Sequence, residues 1–223
     1  GAGAGPTPVS AEAAQKKDLN IRLAALGTVT PVYTVTVRSR VDGELQKLYF
    51  TEGTHVAAGA PLAEIDPRPF MVQKLQAEAQ LAKDNALLEN ARVDLKRYQI
   101  LLDQDSVARQ QYDTQVALVH QYEAALKIDQ AQIESAALQL AYAHITAPIS
   151  GRIGLRNVDQ GNIVHAADTN GIAVITQLQP ITVLFSIPQE SIPQVMKTFA
   201  SGAPMEVDAF DLDGHTKLAN GHL

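Results

Sequence analysis

Apolar and polar positions along this chain follow two alternating rules. Residues 18–37, DLNIRLAALGTVTPVYTVTV, place polar residues between apolar neighbours and read as two short strands broken at Gly27. Residues 38–66 continue as short strands punctuated by Asp42-Gly43, Glu52-Gly53 and Ala58-Gly59, each a turn signal. Pro67 and Pro69 then end the sheet, and a Pro is tolerated at a helix start because its missing N–H is not needed there. From Phe70 to Ala143 there is neither Gly nor Pro, and the period changes. Leu81, Leu88, Leu95 and Leu102 recur every seven residues, and Ala77, Ala91 and Tyr98 lie four before three of them, with Asp84 the exception. Val119, Leu126, Ile133 and Leu140 recur in the same way, with Tyr122, Ala136 and Ala143 three after. A sustained seven-residue repeat is the mark of a coiled coil. The phase is lost in LDQDSVARQQYD, so the spacing predicts a helical hairpin over 70–144 with its tip near 103–109. An arm of about 33 residues would be about 50 Å long. Residues 149–177 return to strand grammar. ITVLFSI and PMEVDAF add strands, with a short helix in PQESIPQVMKTF between them, and FDLDGHTKLANGHL shows no closing element.

The two β-rich stretches echo each other. Val41, Gly43, Leu45, Phe50, Gly53 and Val56 correspond to Ile149, Gly151, Ile153, Val158, Gly161 and Val164 at a constant offset of 108. After a two-residue insertion, Leu62 and Ile65 correspond to Ile172 and Ile175. A fixed offset over this many positions marks an internal repeat. Each half is too small to bury a core alone, so the two are expected to form one β-sandwich about a pseudo-twofold, with the hairpin inserted between them. Gly43, Gly53, Gly151 and Gly161 are expected at turns that need a positive φ.

Composition narrows the function more than the fold. A formal net charge of −6 argues against nucleic acid as a partner. There is no Cys, hence no disulfide or thiolate site. No apolar run of about 18 residues is present to span a bilayer. The six His show no HxxxH or HExxH spacing, the three Met are scattered, and no nucleophile–base arrangement is legible. The opening GAGAG follows no strand and runs into Pro6, so it reads as linker. Neither a cofactor, a metal nor a catalytic role is expected.

VRSRVDGELQKLYFTEGTHVAAGAPLAEIDP and ITAPISGRIGLRNVDQGNIV resemble the split lipoyl-like domain of periplasmic adaptors. These adaptors, also called membrane fusion proteins, serve RND-type tripartite multidrug efflux pumps. GTVTPVYTVTVRSRVDGEL, LAEIDP, ITAPISGRIGL and GIAVITQLQPITVLFSIP are similar to one subgroup of them. The resemblance runs from about residue 20 to the end. It implies an α+β, elongated, multidomain fold: an α-helical coiled-coil hairpin inserted in a split lipoyl-like β-sandwich, followed by part of a β-barrel domain. The expected division is 1–17 a flexible lead-in, 18–36 and 178–223 the incomplete barrel domain, 37–69 and 145–177 the sandwich, and 70–144 the hairpin. The remaining barrel and a membrane-proximal domain are expected beyond Leu223.

The same resemblance implies a non-enzymatic adaptor in the periplasm, associated with the inner membrane of a Gram-negative bacterium. Its partners would be an inner-membrane RND transporter and an outer-membrane channel of TolC type. It would form a homo-oligomer, a hexamer in the pump. The family carries an Arg–Leu–Ser pattern at the hairpin tip that contacts the channel. Here Arg97 and Leu101 match its first two members, the third falls on Ala108, and Ser106 lies two residues earlier. Arg97 and Leu101 share a helix face at i,i+4. The plainer reading of Arg97 is an ion pair with Asp94 or Asp103 on a solvated face. Two rival functions are kept open: an adaptor for an ABC or MFS exporter, and a lipoyl or biotinyl carrier subunit. A carrier modifies a Lys at the turn joining the halves, and neither DPRP (66–69) nor HIT (144–146) holds one.

Overall fold

A computed structural model describes residues 10–16 and 22–223. Much of the expected lead-in lies outside them, as do residues 18–21 of the strand expected ahead of Gly27. Residues 22–26 form no strand, and Gly27 opens one instead of breaking one. The chain order is β1 (Gly27–Pro31), β2 (Thr34–Val37), β3 (Gly43–Leu48), β4 (His55–Val56), β5 (Pro61–Ile65), α1 (Arg68–Asp103), α2 (Arg109–Ala143), β6 (His144–Thr146), β7 (Gly151–Arg156), β8 (Ile163–Val164), β9 (Ala173–Thr176), β10 (Ile181–Phe185), α3 (Ile192–Ala200), β11 (Glu206–Phe210) and β12 (Lys217–His222).

Residues 30–182 form one compact unit, holding the sandwich and the hairpin. Its two four-stranded sheets have the orders β2-β9-β7-β4 and β6-β5-β3-β8. The repeat maps β2, β3, β4 and β5 onto β6, β7, β8 and β9, and so maps the first sheet onto the second. Each sheet therefore takes two strands from each half. The register obeys the same exchange. Val56 faces Gly151 where β4 meets β7, and Val164 faces Gly43 where β8 meets β3. The Gly53 N–H donates to the Ile153 carbonyl (2.9 Å), and the Gly161 N–H to the Leu45 carbonyl (2.8 Å). The apolar members of the repeat meet in one core: Val41, Leu45, Val56, Leu62 and Ile65 with Ile153, Val164, Ile172 and Ile175. Phe50, Ile149 and Val158 pack on its margin. The boundary drawn at 36/37 falls inside β2, all four residues of which pair with β9.

The four glycines serve two purposes, not one. Gly53 and Gly161 have φ of 75° and 90° and make tight turns, as expected. Gly43 and Gly151 are not at positive φ; they make room. A Cβ on Gly43 would lie 2.6 Å from Ile65 Cγ2, and one on Gly151 would run into the Thr176 carbonyl.

The hairpin leaves the sandwich directly from β5 and returns directly into β6. Asp66 accepts the Arg68 N–H at 3.1 Å and so supplies a side-chain acceptor at the start of α1, where orphan N–H groups need one. It also binds the Arg68 guanidinium at 2.7 Å; that hydrogen bond holds the Asp66 carboxyl below its usual range. Phe70 and Tyr142 pack against the sandwich core, and Arg40 stacks 4.9 Å from the Tyr142 ring centroid. Along the arms, α1 and α2 pack through the heptad positions. Leu88, Ala91 and Val119 form a small dry cluster, flanked by Leu95, Leu118, Tyr122 and Leu126. Gln115 Nε2 donates across the seam to the Ala91 carbonyl at 2.9 Å. Arg92 and Glu123 pair between the arms at 2.8 Å, and this holds the Glu123 carboxyl below its usual range.

The described part of the second unit comprises 10–16, 22–29 and 183–223. β1 and β10 form a two-stranded sheet, and β11 and β12 another. The helix expected in PQESIPQVMKTF is a 3₁₀ turn at Gln189–Ser191 running into α3. β12 was not foreseen. Its LANGH segment lacks β-branched residues and alternation, and it is held as a strand by its pairing to β11. Asp211 closes the connecting turn, accepting the N–H groups of His215 and Thr216 at 3.2 Å each.

Candidate functional site

The tip of the hairpin is a five-residue turn, Gln104–Ala108, between α1 and α2. α1 ends in a Schellman motif: the Ser106 N–H bonds the Leu101 carbonyl at 2.8 Å and the Asp105 N–H bonds the Leu102 carbonyl at 3.0 Å. Asp105 holds the left-handed position that Gly usually takes, at φ 53°. A short polar side chain is among the few that adopt it without large cost. Val107 is half-buried, and the chain turns back into α2 at Ala108.

Of the four residues expected at this site, two are joined directly. Leu101 and Ser106 are linked by the backbone hydrogen bond that closes α1, and the Ser106 Oγ caps the Gln104 carbonyl at 3.2 Å. Leu101 is 38% exposed, enough for its side chain to meet a partner. Arg97 lies one turn back. Its Nη1 donates to Asp94 Oδ1 at 3.0 Å, with the side chain 72% exposed. That is the plainer pairing foreseen for it. It uses one edge of the guanidinium, and an exposed pair of this kind is worth about 0.3–0.5 kcal/mol, too little to hold the side chain against a better acceptor. Asp103 takes Gln99 Nε2 at 2.9 Å instead. Ala108 is the N-cap of α2, with an extended backbone (φ −66°, ψ 138°) and no side-chain cap. Ser at this position would accept an orphan N–H of the first turn, so Ala108→Ser is expected to stabilise the tip by about 1 kcal/mol. A rise in melting temperature, with slower amide exchange confined to residues 104–112, is the check.

Sequence reasoning did not anticipate the left-handed Asp105, because Asp in a turn is common and its φ is set only by closure of the two arms. The base of the hairpin is chemically plain. DPRP caps α1, and HIT enters β6 with Ile145 in the core. Among the described residues, no three His, Asp or Glu side chains converge as metal ligands would, and no helix is long and apolar enough to cross a membrane.

A sandwich of two interlocked halves, with a coiled-coil hairpin between them and a shaped turn at its tip, defines a scaffold that presents a stiff arm. Residues 33–176 match the family model described as RND MFP, barrel-sandwich hybrid domain, and the chain belongs to that family of membrane fusion proteins. The multidrug resistance protein MdtA of Pectobacterium carotovorum is 51% identical over 216 residues, which cover 97% of this chain and 52% of that one. MdtA-type adaptors are the subgroup that the sequence stretches resemble. The chain thus spans about half the length of the curated relatives it matches. Among solved structures, a MacA–MexA chimeric protein containing the Pseudomonas aeruginosa MexA α-hairpin domain is 26% identical at a TM-score of 0.57, covering 91% of this chain and 67% of the other. A membrane fusion protein from Streptococcus pneumoniae R6 reaches a TM-score of 0.65 at 16% identity, covering 90% and 83%; at that identity the likeness is one of fold.

Proposed function

We propose that this chain is the sandwich-and-hairpin portion of a periplasmic adaptor for an RND-type multidrug efflux pump. In this reading it bridges an inner-membrane RND transporter and an outer-membrane channel of TolC type in a Gram-negative bacterium. The observation that carries the reading is the insertion of a two-helix arm between β5 and β6, at the position where a carrier domain would hold its modified Lys. The site is thereby turned from a place of chemistry into a spacer. At 1.5 Å per residue the 36-residue α1 is about 54 Å long. Its narrow seam leaves Val93, Ile100, Ile128 and Leu138 exposed, which suits arms that pack side by side in a homo-oligomer, a hexamer in the working pump. The adaptor does no bond chemistry; it transmits shape change between partners and seals the path.

Within this proposal Arg97, Leu101, Ser106 and Ala108 form the channel-contacting face. Arg97 exchanges Asp94 for carboxylates or helix C-terminal carbonyls on the channel, where its planar fork is used more fully. Leu101 supplies the apolar contact beside it. The test is complementation of a gene deletion by the full-length protein and by Arg97→Glu, read against a panel of drugs, dyes and bile salts. Wild type is expected to restore resistance, and Arg97→Glu, at equal expression, to lose most of it. Full restoration by Arg97→Glu would remove the tip assignment and leave the adaptor role standing. A deletion without effect on the whole panel would overturn the drug-efflux reading in favour of an exporter with another motor.

A further inference from the structure

The seam of the hairpin contains an anomaly at mid-arm. Asp84 occupies the heptad position between Leu81 and Leu88, and Asp129 the position between Leu126 and Ile133. The two arms run antiparallel and bring these positions together. Asp129 is only 9% exposed, and its Oδ2 has no hydrogen-bond partner among protein atoms. A buried acceptor without a donor is costly, and a second carboxylate beside it, that of the half-buried Asp84, makes it more so. Natural coiled coils do place a single polar residue such as Asn or Lys at such a position, at a cost in stability, but two ionised carboxylates have no donor between them.

We propose that Asp84 and Asp129 share one proton across the seam, making mid-arm a pH-responsive joint that is tight with one proton bound and loosened when both carboxyls ionise. The geometry also indicates which carboxyl holds the proton. Asp84 Oδ2 already accepts a hydrogen bond from Gln80 Nε2 at 3.1 Å. Asp129 is the buried member and lacks a donor, so its neutral O–H supplies the missing hydrogen bond to Asp84. Burial raises the Asp129 carboxyl above its ordinary value, and so do the charge of Asp84 and the hydrogen bond to it; Lys83, also on α1, pulls the other way.

The sign follows from linkage. A carboxyl whose folded value lies above its unfolded one contributes stability that is complete below the unfolded value and is lost as pH rises through the folded one. Glu123, held low chiefly by Arg92 and then by His120, works in the opposite sense, losing its contribution as pH falls. The two must be separated by mutation. The proposal does not depend on the adaptor reading, since it concerns the arm alone.

Hydrogen exchange of the whole chain, corrected for intrinsic rates and followed upward from about pH 4, the ordinary Asp value, reads the joint directly. Wild type is expected to lose protection at residues 80–88 and 126–133 as pH rises, with the tip and the sandwich unaffected. Asp129→Asn keeps a donor and cannot ionise; it should abolish that pH dependence and exchange severalfold more slowly at the upper end. Asp84→Leu with Asp129→Leu should be protected at every pH. A carbon-13 titration of the Asp129 carboxyl gives a second reading. An ordinary value there, or the same pH dependence in wild type and Asp129→Asn, would overturn the proposal.

Discussion

Leu45→Ala and Ile153→Ala should each destabilise the sandwich by about 2–5 kcal/mol, and by closely similar amounts. Both side chains are fully buried and occupy equivalent places in the two halves. Each is flanked by the same kind of hydrogen bond, from Gly161 and Gly53 respectively. Truncation removes the transfer free energy of the lost methyl and methylene groups and leaves a cavity that only partial collapse can fill. The comparison tests the pseudo-twofold itself. If the halves are true structural equivalents, the two losses agree; if one half is the scaffold and the other a loose cover, they diverge by more than about 1 kcal/mol. Urea unfolding followed by circular dichroism supplies both numbers. With no Trp in the chain, Tyr emission is the second probe. The double mutant should lose more than either single one, with non-additivity of about 0.5–3 kcal/mol because both positions line one core.

Gly151→Ala should break the symmetry that the first experiment checks. At Gly43 the added methyl meets only the Cγ2 of Ile65, a buried β-branched side chain that can give way by local repacking of the core but not freely. At Gly151 it meets the Thr176 carbonyl oxygen and carbon and, at 3.1 Å, the Gln177 Cα, all of them backbone at the end of β9. Backbone in a paired strand cannot yield without breaking its ladder. Overpacking of about 1–3 kcal/mol is expected at Gly43, and at Gly151 a loss at or above the top of that range. The outcome to measure is whether Gly43→Ala stays folded at room temperature while Gly151→Ala loses β-sheet signal or becomes insoluble. Equal, mild effects at both positions would show that the strand at Thr176 moves freely.

Much of this fold was legible because two periodicities carry it. The 108-residue offset names the core almost residue for residue, since positions that pack on one another about a pseudo-twofold must be apolar in both halves. The seven-residue repeat fixes the arms for the same reason, one stripe at a time. What escaped notice depends on partners rather than on pattern. β2 joins the sandwich because β9 offers it an edge. β12 is a strand only through β11. Gly43 and Gly151 resembled turn glycines, and only the opposing atoms show that they are spacers. At the tip, Arg97 and Leu101 could be placed on one face from spacing alone. The hydrogen bond between Leu101 and Ser106, and the empty cap at Ala108, required the turn itself. Asp84 was visible as a gap in the first stripe; its counterpart Asp129 was the unfilled place after Leu126 in the second.

The direct junctions of the arm with β5 and β6 also bear on how the chain finds its fold. Neither sheet can be completed until residues from both halves are present, and a flexible loop spanning Arg68–Ala143 would cost about 4 kcal/mol to close, taking the length-dependent part alone. The hairpin removes most of that cost. Its contacts are local, its turn closes only five residues, and helix pairs form faster than distant strands can pair. Once α1 and α2 have zipped, Ile65 and Ile145 are already neighbours, and the second half condenses onto the first as if the intervening chain were a short turn. The spacer is thus expected to nucleate the sandwich as well, and substitutions that loosen the arm should slow folding of a domain they do not touch.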